Sequence, residues 1–388
     1  MYYDNKDKRT PLSNNSVVVI NDTAAGSRRE YVIDSLAGTG GFALMYIAHE
    51  KNDMHHYVAL KELFPRALDD AVAERREDGK IVIYDPMTES DECNDESVWD
   101  KITPYFDREV KLTRKAAAVY DSYGRQAAQN SPDVLGISGP FIAENGNRYI
   151  VIDTKKGKSL RQFIDNGWES NSDKGVYRNN LLDEIFDILL KTTQRLTFMH
   201  GDNRMYHLDL SPANIYISYI NGGTSVEPTI IDYGSAYDCT DPEDLTSHRF
   251  TCNPFSAPEI NALAELNNQN SGYYVDVTSD TYSIAAILFY AVLGELYTTQ
   301  KIYDPSWRDK IQKLYPETIY DSFAEKLIEF FSRGLSADQS ERYVTIQHSV
   351  TKKQDDLYSE LTELKKLYKS ADILNLCAID QKDADELM

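Results

Sequence analysis

The sequence predicts an α+β fold in two lobes, a β-rich first part followed by an α-rich second part. Three observations carry this. Between residues 16 and 64, four short β-branched and aromatic runs alternate with turn signals. LLDEIFDILLKTTQRLTFMH (181–200) places its apolar residues at helical spacing. The apolar stretch YSIAAILFYAVLG (282–294) is too short to span a bilayer and reads as a buried helix.

Residues 1–28 read as an N-terminal extension, its first fifteen residues polar and without the apolar core of a signal peptide. The first lobe is expected over 29–154. SVVVI (16–20) and REYVIDSLA (29–37) read as strands around the turn-rich NDTAAGS. FALMYIAHE and YVALKELF follow as a hairpin across KNDMHH. Residues 66–100 change character, with one strand, KIVIYD, after the turn signal EDG and then an acidic run; this reads as a surface excursion. Residues 98–128 are helix-prone, and PDVLGISGPFIAENGNRYIVIDT is a further hairpin turning at ENGN. The second lobe is expected over 155–348, mostly helical. Beyond it, 349–388 contains the helical stretch DDLYSELTELKKLYK and a frayed acidic tail.

The chain has 388 residues, with Lys plus Arg at 41 against Asp plus Glu at 62, a formal net charge of −21. Such a surface repels phosphate backbones and anionic lipid, so neither nucleic acid nor membrane is an expected partner. Cys93, Cys239, Cys252 and Cys377 are scattered and form no CxxC pair, which points to free thiols in a reducing, cytoplasmic compartment.

The chemistry-bearing residues come in separated pieces. Gly38, Gly40 and Gly41 lie between two strands, which fits neither the dinucleotide fingerprint nor a P-loop. Such a turn can fold its backbone N–H groups over phosphates, although taken alone it is more often a plain hairpin. In VALKE, strand alternation puts Ala59 and Lys61 on one face and Val58 and Leu60 on the other. A purine could stack on Ala59 while the lysine reaches phosphates. In YHLDLSPANIYI, Asp209 and Asn214 stand five residues apart, and Asp232 follows the apolar Ile230 and Ile231. An acid ending a buried apolar run is costly without a counter-cation. Mg²⁺ suits that place, because it takes one or two carboxylate or amide oxygens with phosphate oxygens and water. Asn214 and Asp232 are the candidate ligands, which leaves Asp209 to accept a hydroxyl proton.

In order, a glycine loop, a strand lysine, H-x-D-x-x-x-x-N, D-x-G and Ala257-Pro258-Glu259 form the signature set of the protein kinases. From about residue 29 to about 348 the chain resembles a eukaryotic-type protein kinase. Its LKELFP at 60–65 is similar to bacterial serine/threonine kinases with a KEYFP-type sequence after the lysine. The resemblance implies a two-lobed kinase-like fold, ATP and Mg²⁺ as cofactors, and transfer of the γ-phosphoryl group to a protein hydroxyl, with serine or threonine as the expected acceptor. It implies that Gly38, Gly40 and Gly41 cover the phosphates and that Lys61 binds the α- and β-phosphates. Glu109 pairs with Lys61, with Asp107 as the alternative. Adenine would sit along Ile152, Asp153, Thr154 and Lys155. Asp209 orients the hydroxyl, and Asn214 and Asp232 hold the metal. Glu259 and Arg342 would form a buried ion pair, and Asp280 would hold the backbone of the loop carrying Asp209.

The pattern departs at several positions. Leu208 replaces an arginine, so that position offers no charge to a phosphate arriving on Thr246, Ser247 or Thr251. Tyr233 replaces a phenylalanine, and Ala43 stands at the third glycine. Ser211 replaces a lysine, and Cys252 occupies the usual threonine position. A small-molecule kinase of related fold and a pseudokinase-type ATP-binding scaffold remain as alternative classes. The Ala-Pro-Glu segment counts against the first and the intact Lys61, Asp209, Asn214 and Asp232 against the second.

Overall fold

A computed structural model describes residues 9–22, 26–66, 72–84, 96–122, 136–154, 157–169, 176–201, 204–220, 225–242, 250, 252–265, 274–298, 301, 304–315, 320–346 and 354–386. The chain forms two compact units, one comprising residues 1–117 and 134–156 and the other 118–133 and 157–388.

The first unit is built on a six-stranded antiparallel sheet. Its strands are β1 (Val17–Asp22), β2 (Ser27–Thr39), β3 (Ala43–Glu50) and β4 (Asp53–Leu63), together with a later hairpin. A separate two-stranded ribbon, β5 (Val72–Arg75) and β6 (Ile81–Tyr84), comes next, then helix α1 (Glu96–Ser122), then β7 (Ile137–Ile142) and β8 (Arg148–Asp153). The sheet order is β1-β2-β3-β4-β8-β7. Alternation along β4 is as the sequence indicates: Val58, Leu60 and Glu62 are buried, while Ala59 and Lys61 are half-buried on the other face. One stripe of α1, Ile102, Phe106 and Val110 at steps of four, joins Tyr46, Leu60, Phe64 and Val151 in one core.

Three details differ from expectation. β1 begins at Val17 and pairs along its whole length with β2, so the segment read as an extension supplies the sheet's first strand. The hairpin after β3 turns at residues 51–52, because the polar Asp53–His56 already runs as strand. The 66–100 stretch is not only a surface excursion. Ala73, Ile81, Val82 and Ile83 are buried, and Arg75 reaches into the interior, so the ribbon is part of the unit's core. β5 was not legible, since VAER alternates too briefly to register. The acidic run 85–95 lies outside the described residues.

The second unit opens with β9 (Gly157–Ser159), α2 (Leu160–Glu169) and α3 (Val176–Gly201). The pair β10 (Met205–Tyr206) and β13 (Tyr237–Asp238) brackets a hairpin of β11 (Ile215–Ile220) and β12 (Ser225–Ile230). Helices α4 (Pro258–Glu265), α5 (Val277–Leu293), α6 (Ser306–Leu314), α7 (Asp321–Gly334) and α8 (Leu357–Glu386) follow. α3 packs on α5 and α8, and Phe186 meets Phe323 and Tyr368 ring to ring. The backbone of α8 continues to Glu386, through the tail expected to fray.

α5 is buried from Val277 to Val292, one and a half turns earlier than its apolar run suggests. Asp276 caps it by accepting the Thr278 N–H at 2.7 Å, and Gly294, at φ 70°, ends it in the left-handed conformation open to glycine. Its first turns are polar because several of their side chains fasten other segments. Ser279 donates to Glu259 (2.6 Å), Thr281 to the Tyr343 carbonyl (2.8 Å) and Ser283 to the Phe255 carbonyl (3.0 Å).

Among the described residues no helix is long and apolar enough to cross a membrane.

Candidate active site

The candidate residues fall into two sets, one in each unit. In the first unit, Lys61 comes from β4 and Glu109 from the buried stripe of α1. The Lys61 Nζ donates to Glu109 Oε2 at 2.7 Å, with side chains 12% and 4% exposed. Asp107, the alternative partner, lies 3.6 Å from Arg148 instead. A helix of 3.6 residues per turn separates positions 107 and 109 by about 200°, so only one of the two can face Lys61. Ala59 lies beside Lys61 on the same strand face, as the stacking role requires. Asp153 and Ile152 end β8, where Val58 and Asp153 are register partners, and Thr154 donates its N–H to the Tyr57 carbonyl at 3.4 Å. Lys155 lies outside the described residues.

The glycine turn is held by its carbonyls. Gly40 O accepts from Arg9 Nη2 (2.8 Å), Gly41 O from the Arg66 N–H (2.8 Å) and Phe42 O from the Phe64 N–H (3.0 Å). Gly38, Gly40 and Gly41 do not have left-handed φ values. A Cβ added at Gly38 or Gly41 meets nothing within 4 Å among the described residues. The fold itself therefore does not demand glycine at these two positions. Glycine leaves the backbone there open to close approach, as a phosphate held by main-chain N–H groups would need.

In the second unit, the loop after β10 carries His207, Leu208 and Asp209. Leu208 is buried at φ 61°, a conformation unfavourable for a side chain with a Cβ. Asp280, wholly buried on α5, over-determines it. Its Oδ2 accepts the His207 N–H (2.7 Å) and His200 Nε2–H (2.8 Å), and its Oδ1 accepts the Leu208 N–H (2.8 Å). Burial pushes the Asp280 carboxyl up, but the His200 hydrogen bond, the two nearby imidazoles and the His207 N–H outweigh that. The net shift is downward. The His207 ring donates from Nε2 to the Ile231 carbonyl (3.1 Å) and accepts the Asp209 N–H at Nδ1 (3.3 Å), which fixes its tautomer.

The β11–β12 register pairs Ile215 with Ile230, and the Ile231 N–H donates to Asn214 O at 2.9 Å. Residues 214 and 232, eighteen apart in sequence, thereby come to one end of a hairpin. Asp232 has φ 63° and leads into a single 3₁₀ turn at Tyr233–Ser235. Tyr233 is buried against His207 at 5.0 Å between ring centroids, so the phenylalanine's packing role is kept. Asn214 Nδ2 donates to Asp209 O (2.8 Å) and Oδ2 (3.2 Å). The oxygens of Asn214 and Asp232 form a donor set suited to Mg²⁺ shared with phosphates.

Sequence reasoning missed one residue here. Asn253 Nδ2 donates to Asp209 Oδ1 at 2.7 Å, while its Oδ1 accepts the Phe255 N–H at 2.6 Å. Cys252, which stands at the usual threonine position, is exposed. Nothing local marked Asn253, because its partner lies forty-four residues earlier. Burial raises the Asp209 carboxyl's pKa, and the neighbouring Asp232 charge adds to that; Asn253, His207 and Asn214 oppose the rise. Asp209 is therefore a base of strengthened proton affinity held by two amides.

Arg342 and Glu259 pair bidentately, Nη1 to Oε1 at 2.7 Å and Nη2 to Oε2 at 2.9 Å, with Arg342 wholly buried. Ser279 and Gln339 also donate to that carboxylate. Thr246, Ser247 and Thr251 lie outside the described residues.

Comparison with known proteins agrees with this geometry. The protein kinase domain family matches residues 124–368, more than half of the chain. That span contains Asp209, Asn214, Asp232, Asp280 and Arg342 but not the glycine turn, Lys61 or Glu109. The serine/threonine-protein kinase PknB of Mycobacterium leprae is 27% identical over 44% of this chain and 24% of its own length. The serine/threonine-protein kinase Nek10 of Homo sapiens is 25% identical over 54% of this chain and 16% of its own. The chain thus spans a quarter or less of these relatives. With the family matching more than half of the chain, including Asp209, Asn214 and Asp232, the chain belongs to the protein kinase family.

Proposed function

We propose that this protein transfers the γ-phosphoryl group of Mg·ATP to a protein hydroxyl, with serine or threonine as acceptor. The observation that carries the reading is the cluster around Asp209. Its carboxylate is oriented by Asn214 and Asn253, the backbone just before it, at His207 and Leu208, is fixed by Asp280, and Asp232 stands close enough to raise its proton affinity. An oriented carboxylate with raised affinity is what accepting a hydroxyl proton requires. Mg·ATP, when bound, supplies the phosphoryl group and a cation that screens the phosphates. Asn214 and Asp232 would hold that cation, and Lys61, steadied by Glu109, would meet the phosphates. Asp209 would orient the acceptor and take its proton. The serine/threonine assignment is supported by the names of the relatives. A cytoplasmic location belongs to the same reading, since ATP and reduced thiols coexist there and Cys239 and Cys252 are free.

The test is phosphoryl transfer to a generic protein acceptor by Asp232→Asn. Removing one ligand charge is expected to lower the rate by at least about a hundredfold, roughly 2.7 kcal/mol of barrier. Stability at neutral pH should hold or rise, because Asp209 loses a like-charged neighbour. Near-native turnover in this variant would show the reading to be wrong.

A further inference from the structure

The residues that orient the glycine turn are not all in it. Arg9 lies upstream of the first strand and outside the family match, yet it is buried, 8% exposed. Its guanidinium spans two carbonyls, donating from Nη1 to Phe64 O at 2.5 Å and from Nη2 to Gly40 O at 2.8 Å. It also lies over the Phe64 ring, 6.0 Å from the centroid. The segment around it is fastened to the same core. Thr10 O accepts from Arg75 Nε (2.9 Å), and the Leu12 N–H donates to the Tyr46 hydroxyl (3.1 Å). Tyr46 in turn donates to the buried Glu62, the residue next to Lys61. Residues 9–12 are thus a strap tied to β3, β4 and the β5–β6 ribbon.

What the strap does to the turn follows from peptide geometry. In a planar trans peptide the N–H points opposite to the C=O. With Gly40 O held by Arg9, Gly41 O by Arg66 and Phe42 O by Phe64, the N–H groups of Gly41, Phe42 and Ala43 are directed away from those three partners. Successive N–H groups presented in this way make an anion-binding concavity. Two of the three peptides are oriented by main-chain bonds from the strand end at 64–66. The first, Gly40–Gly41, joins two residues without a Cβ and is the easiest of the three to rotate. Its carbonyl is the one that Arg9 holds with a charged donor, the stronger class of hydrogen bond.

We infer that Arg9 is a positioning residue for nucleotide phosphate binding, locking the Gly40–Gly41 peptide so that its N–H faces the ligand. The inference rests on the nucleotide reading above and adds to it a residue from outside the family's frame. It predicts that the segment before β1 tunes affinity for the phosphates and leaves affinity for the nucleoside alone.

The experiment is calorimetric titration of the full chain with two probes, the β,γ-imido analogue of ATP with Mg²⁺, and adenosine. The native protein should bind the analogue more tightly than adenosine. In Arg9→Ala the analogue should weaken by about tenfold, the scale of one charge-assisted hydrogen bond, while adenosine stays within about twofold. If Arg9→Ala fails to fold, Arg9→Lys serves, because it keeps the charge and the buried stem but loses the reach and the fixed two-nitrogen fork that hold both carbonyls. Its expected loss is smaller and has the same selectivity. Unchanged analogue binding in the folded variant overturns the inference, and so does a parallel loss for adenosine, which would make Arg9 merely structural. A native protein that binds neither probe removes the nucleotide reading itself, and this inference with it.

Discussion

Asp209 illustrates how far one side chain's chemistry is set by groups distant in sequence. Its carboxylate would be an ordinary weak base in water. Burial and the adjacent Asp232 raise its pKa, and the amides of Asn214 and Asn253 restrain that rise while fixing the direction of both oxygens. Asn253→Ala removes an opposing hydrogen bond, so the acid limb of kcat/KM for ATP, which reports the free enzyme, should move to higher pH. We expect kcat to fall about tenfold, within the range of a positioned proton acceptor's contribution, with KM for ATP unchanged. Asn253→Gln, which keeps the amide, should recover part of the rate. A fall in kcat without movement of the acid limb would remove Asn253 from the base's environment.

At the scale of the element, the β5–β6 ribbon depends on one buried polar cluster. Glu62 is wholly buried and receives Arg75 at 2.6 and 3.0 Å, Tyr46 at 2.9 Å, Tyr149 at 2.5 Å and Asn147 at 3.2 Å. Burial, helped by the Glu62 charge, raises both phenols, so they remain protonated donors. Asn147 also caps the ribbon, its Oδ1 accepting the Ile81 N–H and its Nδ2 donating to Gly79 O. Removing Arg75 would leave a carboxylate buried without its cation. Arg75→Met should therefore cost about 3–5 kcal/mol, read by denaturant unfolding, and amides of residues 72–84 should exchange faster than those of β3. Adding Glu62→Gln should restore part of that loss. A second substitution that adds its full cost would show that the two residues do not act as a pair.

Across the molecule, stability against acid should depend on the same group that shapes the base-bearing loop. The Asp280 carboxyl is held below its ordinary value despite complete burial, because the hydrogen bond from His200 and the His207 N–H favour its charged form. A carboxyl depressed on folding contributes stability above its unfolded pKa and loses it as pH falls through the folded value. Asp280→Asn should accordingly lower the melting temperature at pH 7. The deficit should shrink as pH falls below the ordinary carboxylate range, where the native carboxyl also becomes protonated. A deficit independent of pH would assign the loss to shape alone. Asp209 has the opposite sign: its raised pKa means that ionisation costs stability as pH rises above the unfolded carboxylate value. Base and anchor, two residues from different elements, thus pull stability in opposite directions across the acid range.

The sequence alone determined what depends on local period and spacing. Alternation in VALKE put Ala59 and Lys61 on one face, and the H-x-D-x-x-x-x-N and D-x-G spacings marked Asp209, Asn214 and Asp232. The Ala-Pro-Glu segment and the conformity of the order led to Glu259, Arg342 and Asp280, and the fold shows the pairings each was expected to make. The alternation is legible because a strand repeats its geometry every two residues, and the motif residues because their order and spacing resemble those of the protein kinases. Tertiary structure alone decided which acid of α1 meets Lys61, since Asp107 and Glu109 both fit the sequence and only the rotation of the packed helix separates them. It also decided that Arg75 neutralises Glu62, that Asn253 orients Asp209 and that Arg9 holds the glycine turn, pairs separated by 13, 44 and 31 residues. A buried polar side chain leaves no periodic mark in a sequence. Its place is set by the distant group that makes burial tolerable, and the two meet only when the core around them closes.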